Sequence, residues 1–465
     1  MTGLIIHGHF YQPPRENPWT GEVPTEPSAA PYHDWNERIH AECYAPNVIN
    51  YPNISFNFGP TLLSWLERHH RDTYQKILDA DKASAAARGG HGNAIAQAYG
   101  HAILPLCNER DRLTQVVWGL ADFRFRFGRE AESLWLPETA ANDDVLALLI
   151  DQGLRYVILS PDQAKGKIET SQPYVFRHPD GSKRSLAVFF YNGPLARAIA
   201  FEKALTSSRG LVDQFIRAAV SGDLVNVATD GETYGHHFKF GDLCLAHALD
   251  VEAKQAGFWI TNYAEYLDRH PPVKEVEIEN GPEGEGSSWS CVHGVGRWTR
   301  DCGCHTGGEV GWNQSWRAPL RAALNFLRDD AAVKFENSEL LRDPWGARND
   351  YVEVLLDPKA ARASFLARHS VPNLSDVSES RVWKLLEMQR SALLMFASCG
   401  WFFSDVAGIE TIQLMRYAAR VMDLQSQLGL DPPEKKFLEL MSEAKSNKPE
   451  KGTGADLFVQ FVKPR

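Results

Sequence analysis

The stretch Leu224 to Gly241, LVNVATDGETYGHHFKFG, decides how the rest of this sequence is read. An apolar, β-branched run, Leu224 to Thr229, stops at Asp230-Gly231-Glu232, and His236 and His237 follow at once. A short apolar run bounded by a turn signal reads as a buried strand. Ionisable groups crowded just past a strand's C-terminal end are where α/β barrels put their chemistry. A second run, Ser133 to Leu136, ends the same way at Pro137-Glu138. Two carboxylates on two strand ends suggest an acid/base or nucleophile pair.

Further strands are expected at Leu4 to Phe10, Ile54 to Phe58, Arg155 to Leu159 and Phe258 to Thr261. Leu4 to Phe10 carries His7 and His9, which share one side of a strand because residues two apart do so. Gly89 to Gly92 reads as a turn, and Asp111 to Phe127 as a surface helix. Asn142 or Asp143 is the expected cap of a helix from Val145 to Gln152, closed by Gly153. Tyr174 to His178 and Leu186 to Tyr191, joined through Pro179-Asp180-Gly181, read as a β-hairpin off a parallel core. This alternation of helix and strand is what βα units look like. Pro271-Pro272 and the run ENGPEGEGSS mark a boundary, beyond which the pattern is mostly helical. The division expected is 1–270, then 271–445 as a Trp/Cys-rich segment with a helical domain, then a polar tail over 446–465.

Composition narrows the function. A net charge of −10 argues against nucleic acid or an anionic membrane as the partner, since both want a basic face. No apolar run reaches the length of a membrane helix. The N-terminus lacks a basic n-region, and seven Cys in 465 residues suit a reducing cytoplasm.

Each candidate has a bland counterpart. Glu138 and Asp230 could merely cap following helices, although aromatics and histidines rather than an apolar helical stripe follow Asp230. His7, His9, His236 and His237 could be metal ligands with Asp230, or could hydrogen-bond a polar substrate. Segment Ser287 to Trp316 holds Trp289, Trp298, Trp312 and Trp316 with Cys291, Cys302, Cys304, His293 and His305. Its spacing is not the paired CxxC arrangement, which favours buried free thiols over structural zinc. The flat apolar faces of sugars stack on indoles, so the tryptophans suit a carbohydrate.

These residues together resemble the family 57 glycoside hydrolases, retaining enzymes acting mainly on α-glucans. His7-Gly-His9-Phe-Tyr-Gln-Pro-Pro is similar to the family's first motif, and Trp135-Leu-Pro-Glu138 to its third, whose glutamate is the nucleophile. Asp230-Gly-Glu232-Thr-Tyr-Gly-His236 is similar to the fourth, whose leading aspartate is the acid/base. Ser287-Ser-Trp289, with His293 and Trp298, resembles a stretch where branching-enzyme-like members contact glucan. The second motif departs, because Gly92-Asn93-Ala94 is followed by Ile95, where the family carries a glutamate.

The resemblance implies an incomplete (β/α)7 barrel followed by a C-terminal α-helical domain, with an α-1,4-glucan as partner and no cofactor or metal. It implies Glu138 and Asp230 as the catalytic pair, about 5–5.5 Å apart, against about 6.5–9.5 Å for an inverting enzyme. His7, His9, Glu232, His236, Trp289, His293 and Trp298 are the substrate-binding residues it implies. Hydrolase, 4-α-glucanotransferase and branching enzyme would share this pair. A metal-dependent carbohydrate hydrolase (deacetylase or α-mannosidase-like), using His7, His9, Asp230 and His236 as ligands, is a second reading. A non-catalytic glucan-binding protein is a third.

Overall fold

The computed structural model describes residues 1–220 and 222–462. Its chain sorts into two compact units. The first comprises Met1–Gln12, Pro24–Gln97 and Phe123–Asn280; the second comprises Pro13–Val23, Ala98–Asp122 and the described residues from Gly281 onward.

In the first unit every residue of strand β1 (Gly3–Phe10) is buried. A strand covered on both faces needs no polar alternation, which is why GLIIHGHF reads as a near-continuous run. It pairs in parallel with β2 (Ser55–Phe58) on one side and, over its whole length, with β8 (Leu224–Asp230) on the other. β3 (Ala96–Gln97) pairs in parallel with β4 (Leu134–Trp135), and β5 (Tyr156–Leu159) with β7 (Ser185–Phe190). Parallel bridges Phe56–Ala94 and Ser133–Tyr156 connect these pairs. The amide of Asn192 donates to the Asn226 carbonyl at 2.8 Å, and Asn226 Nδ2 donates to the Phe190 carbonyl at 3.1 Å. Neighbour relations therefore run β1, β2, β3, β4, β5, β7, β8 and back to β1.

Two expectations change. The hairpin does not leave the parallel core as a pair, because β7 is itself a parallel neighbour of β5; only β6 (Tyr174–Arg177) is the antiparallel addition. β9 (Trp259–Ile260), expected as a last barrel strand, pairs only with Gly3 and Leu4 at the start of β1 and lies off the circuit. Elsewhere the local chemistry acts as the sequence suggests. Asn142 Oδ1 accepts from the Val145 amide at 3.0 Å to cap the helix Asp143–Asp151, and Gly153 follows it at φ 76°.

The second unit is helical. Its longer helices are Arg317–Glu336, Pro344–Leu356, Pro358–His369, Asp376–Leu394 and Ile409–Gln427. The helix Glu109–Phe127, expected at the surface, buries Val116 and Trp118 completely. Its Asp111 takes a buried ion pair from Arg348 at 2.7 Å, and Trp118 donates its indole N–H to the Arg348 and Asn349 carbonyls. The stretch 446–465, read as a polar tail, contains the helix Gly454–Phe461. A reciprocal cap between Thr453 and Asp456 starts that helix, and Leu457 and Phe458 bury its apolar side. Among the described residues no helix is long and apolar enough to cross a membrane.

Gly231, the residue after β8, is packed against the Phe10 ring at the end of β1. A β-carbon there would lie 2.3 Å from Phe10 Cδ1 and Cε1. Gly231→Ala must therefore displace a ring that stacks on Phe58 at 4.8 Å. The expected cost is about 1–3 kcal/mol of stability, read as a lowered Tm in thermal unfolding.

Candidate active site

Parallel register sets His9 of β1 directly beside Asp230 of β8, so both strands deliver chemistry at the same level. His7 and His9 lie on the same side of β1, and both are buried. His7 Nδ1 meets Ser55 Oγ at 2.9 Å, and its Nε2 meets Asn57 Oδ1 at 3.1 Å. His9 Nδ1 meets Asn57 Nδ2 at 2.9 Å. The Trp135 ring stacks on both imidazoles, with centroids 4.8 and 4.9 Å away. Burial drives both histidines down to about 3, with His7 adding to the effect on His9, so both rings are neutral.

One step past β4 the chain turns sharply. Glu138 has φ 59° and ψ 23°, and Thr139 follows at φ 50°. Left-handed backbone is disfavoured for residues with a side chain, so the turn needs outside support. Gln163 provides it. Its Oε1 accepts from Thr139 Oγ1 at 2.8 Å and from the Ser160 amide at 3.0 Å, and its Nε2 donates to the Thr139 carbonyl at 2.8 Å. Glu138 is half-buried and close enough for its charge to act on Asp230.

Asp230 is open to solvent at its strand end yet surrounded by protein. Desolvation, then the charges of Glu232 and Glu138, hold its carboxyl well above the usual carboxylate range. Glu232 is buried, with Oε1 accepting from the Tyr44 hydroxyl at 2.7 Å and the Tyr11 amide at 3.2 Å. Burial pushes it from 4.5 to about 7 against those bonds, which favour the charged form.

The remaining expected residues divide. His236 turns to Glu42, with Nδ1 on Oε2 at 2.5 Å, and stands edge-on to Trp35. His7, with both ring nitrogens occupied by Ser55 and Asn57, is not free to ligate a metal. Among the described residues His7, His9, Asp230 and His236 are not within one metal-sized cluster. In the second unit Trp289 is half-buried, whereas Trp298 is fully buried and donates its indole N–H to the Ser398 carbonyl at 3.1 Å. Trp298 therefore has no face for a sugar; it fixes the loop that carries Ser398. His293 sits with three cysteines instead.

Gln97, Gln163 and Tyr191 escaped the sequence reading. Gln97, at the end of β3, takes Asn57 Nδ2 on its Oε1 at 2.8 Å, while its buried Nε2 has no protein partner. It supplies a polar group at the strand end where the second motif departs from the family. Tyr191, just past β7, is near enough to Asp230 for that charge, after burial and Asp162, to raise its hydroxyl to about 12.

Residues 8–279 match the family model described as glycosyl hydrolase family 57, and residues 312–465 match a domain of unknown function, DUF3536; residues 280–311 lie outside both. The chain is 24% identical to an alpha-amylase of Pyrococcus horikoshii over 271 residues, 55% of this chain and 40% of that one. It is 24% identical to a 4-alpha-glucanotransferase of Thermococcus kodakarensis over 307 residues, 62% of this chain and 42% of that one. The chain thus spans about two-fifths of the length of these curated relatives. An exo-type maltose-forming amylase from Pyrococcus sp. ST04 shares the fold, with a TM-score of 0.75 at 15% identity over 94% of this chain and 82% of that one.

The raised Glu232 carboxyl makes stability depend on pH. Between 4.5 and about 7 the unfolded chain has lost this proton while the native state keeps it, so stability falls as pH rises through that window. Glu232→Gln should remove that part of the slope, on the order of 3 kcal/mol. Urea unfolding at about pH 5 and about pH 7.5 measures it; an unchanged slope would place the Glu232 pKa near its ordinary value.

Proposed function

We propose that this chain, which belongs to glycosyl hydrolase family 57, is a retaining enzyme of α-1,4-glucans in which Glu138 is the nucleophile and Asp230 the acid/base. The observation that carries the reading is the register that sets Asp230, at the end of β8, beside His9 of β1, with Glu138 close enough for its charge to act on it. Desolvation by the surrounding protein and the neighbouring carboxylates Glu232 and Glu138 favour the protonated form of Asp230, which is what protonating a departing glycosidic oxygen requires. Glu138, presented on its left-handed turn, attacks the anomeric carbon as that bond breaks and forms a glycosyl-enzyme. Asp230, now a carboxylate, removes the proton from the incoming water or sugar hydroxyl, and the new bond to the anomeric carbon expels Glu138.

The names of the curated relatives, alpha-amylase and 4-alpha-glucanotransferase, support an α-glucan substrate. The neighbour relations of β1 to β5, β7 and β8, mostly parallel where they pair, support reading the first unit as the incomplete (β/α)7 barrel. We assign a sugar contact to His9, as a neutral imidazole, with Gln97, Glu232 and His7 holding the surrounding network. His236, paired with Glu42, is a further proposed sugar contact of the first unit; Trp289, half-buried in the second unit, is proposed to contact glucan there. Whether water or a glucan hydroxyl resolves the intermediate depends on how well acceptor subsites exclude water, so hydrolysis, 4-α-glucan transfer and branching stay within one mechanism.

Wild type, Glu138→Gln and Asp230→Asn incubated with amylose and maltooligosaccharides test this. Wild type should shorten or redistribute the chains, and each variant should lose about 10²–10⁴-fold in kcat/KM or more. Wild-type kcat/KM should also fall on the alkaline side as Asp230 loses its proton. Turnover by Glu138→Gln at the wild-type rate would overturn the assignment.

A further inference from the structure

The Gly-rich segment between the two family matches brings together side chains that the proposed glycosidase chemistry does not use. Cys291, His293, Cys302 and Cys304 each direct a donor atom to one point, with all four donors within 4.8 Å of one another. Cys291 Sγ lies 3.8 Å from Cys302 Sγ, and Cys304 Sγ lies 3.5 Å from His293 Nδ1. A disulfide needs its sulfurs roughly 2.05 Å apart, so these thiols are not bonded to each other. A tetrahedral zinc with Zn–S of about 2.3 Å and Zn–N of about 2.05 Å would set its ligands roughly 3.8 Å (S to S) and roughly 3.6 Å (S to N) apart. Both observed separations match.

Charge supplies a separate argument. Arg317 is fully buried and donates from Nη1 to the Cys304 carbonyl at 2.7 Å. Buried Arg297 donates to Thr306 Oγ1 and the Phe402 carbonyl. Among the described residues neither makes an ion pair with a carboxylate, and the Nε of each has no partner. Guanidinium groups taken out of water need a compensating negative charge. Zinc held by three thiolates and one neutral imidazole carries a net charge of −1 and would offset one of the two. The backbone suits the site too, since Gly294, directly after His293, and Gly303, between Cys302 and Cys304, adopt φ 74° and 81°.

We propose that Cys291, His293, Cys302 and Cys304 form a closed, structural Cys3His zinc site that fixes the 286–311 segment. On binding, the three thiols lose their protons to solvent and no electron moves. A site with four protein ligands and no open position is structural rather than catalytic, so the proposal is independent of the glucan reading.

The test is metal analysis of the full chain purified under reducing conditions with zinc chloride present. One zinc per chain is expected in wild type and in the control Cys244→Ser, with loss of bound zinc in Cys302→Ser and Cys304→Ser. His293→Cys, which restores a fourth ligand, should keep it. If the cysteine variants do not fold, wild type alone decides. Cobalt exchanged into the site should show thiolate-to-metal charge-transfer absorption, and a mercurial titrating the thiols should release zinc in step. Acidification should weaken retention, because protons compete for the thiolates. A zinc-free wild type with all of these thiols freely titratable, a mapped Cys291–Cys302 disulfide, or zinc retained in both serine variants would overturn the proposal.

Discussion

The first unit depends on one constraint, the burial of β1 on every side. Its backbone is satisfied in register by β2 and β8, so nothing on that strand faces water. An imidazole placed there must find partners inside the protein. His7 and His9 find Ser55 and Asn57 on the neighbouring strand and a shared indole face on Trp135. The same register fixes His9 beside Asp230. The polar layer at the strand ends is therefore a consequence of how the apolar strands align, with His7, His9 and Glu232 each held by a neighbour's hydrogen bond.

That layer concentrates negative charge without importing positive charge. Among the described residues neither Asp230 nor Glu232 has a lysine or arginine in an ion pair. Neutral donors, the Tyr44 hydroxyl and the Tyr11 amide, hold Glu232 in place without discharging it. Glu232 and Glu138 are then left to raise the affinity of Asp230 for a proton. A single arginine in the layer would reverse this and favour the ionised acid.

Much of this was legible in the sequence, and what was not has identifiable causes. β1, β2, β5 and β8 announced themselves as apolar runs ended by turn residues, and Glu138 and Asp230 as acids at such ends. β3 is two residues long, too short for any periodicity, so Gln97 went unnoticed although it stands among the polar strand ends. Gln163 acts through a neighbour's backbone conformation, which no spacing rule encodes. Pro179-Asp180-Gly181 correctly marked a tight turn, but a turn says nothing of β7's other edge, where the parallel partner lies. Trp298 was misjudged because an indole in a Gly-rich segment reads as exposed until its burial is seen. The four metal-ligand candidates were visible, but their convergence depends on glycines folding the loops back.

The left-handed turn at Glu138 places the function of this chain in tension with its durability. An unbranched acidic side chain held at φ 59° raises the free energy of the native state by roughly 1 kcal/mol or more relative to a glycine there. A chain selected only for resistance to heat would therefore drift towards glycine or asparagine at that position and lose the carboxylate proposed as nucleophile. On the proposed mechanism, a glutamate in so uncomfortable a conformation separates the demands of chemistry from those of folding at a single residue.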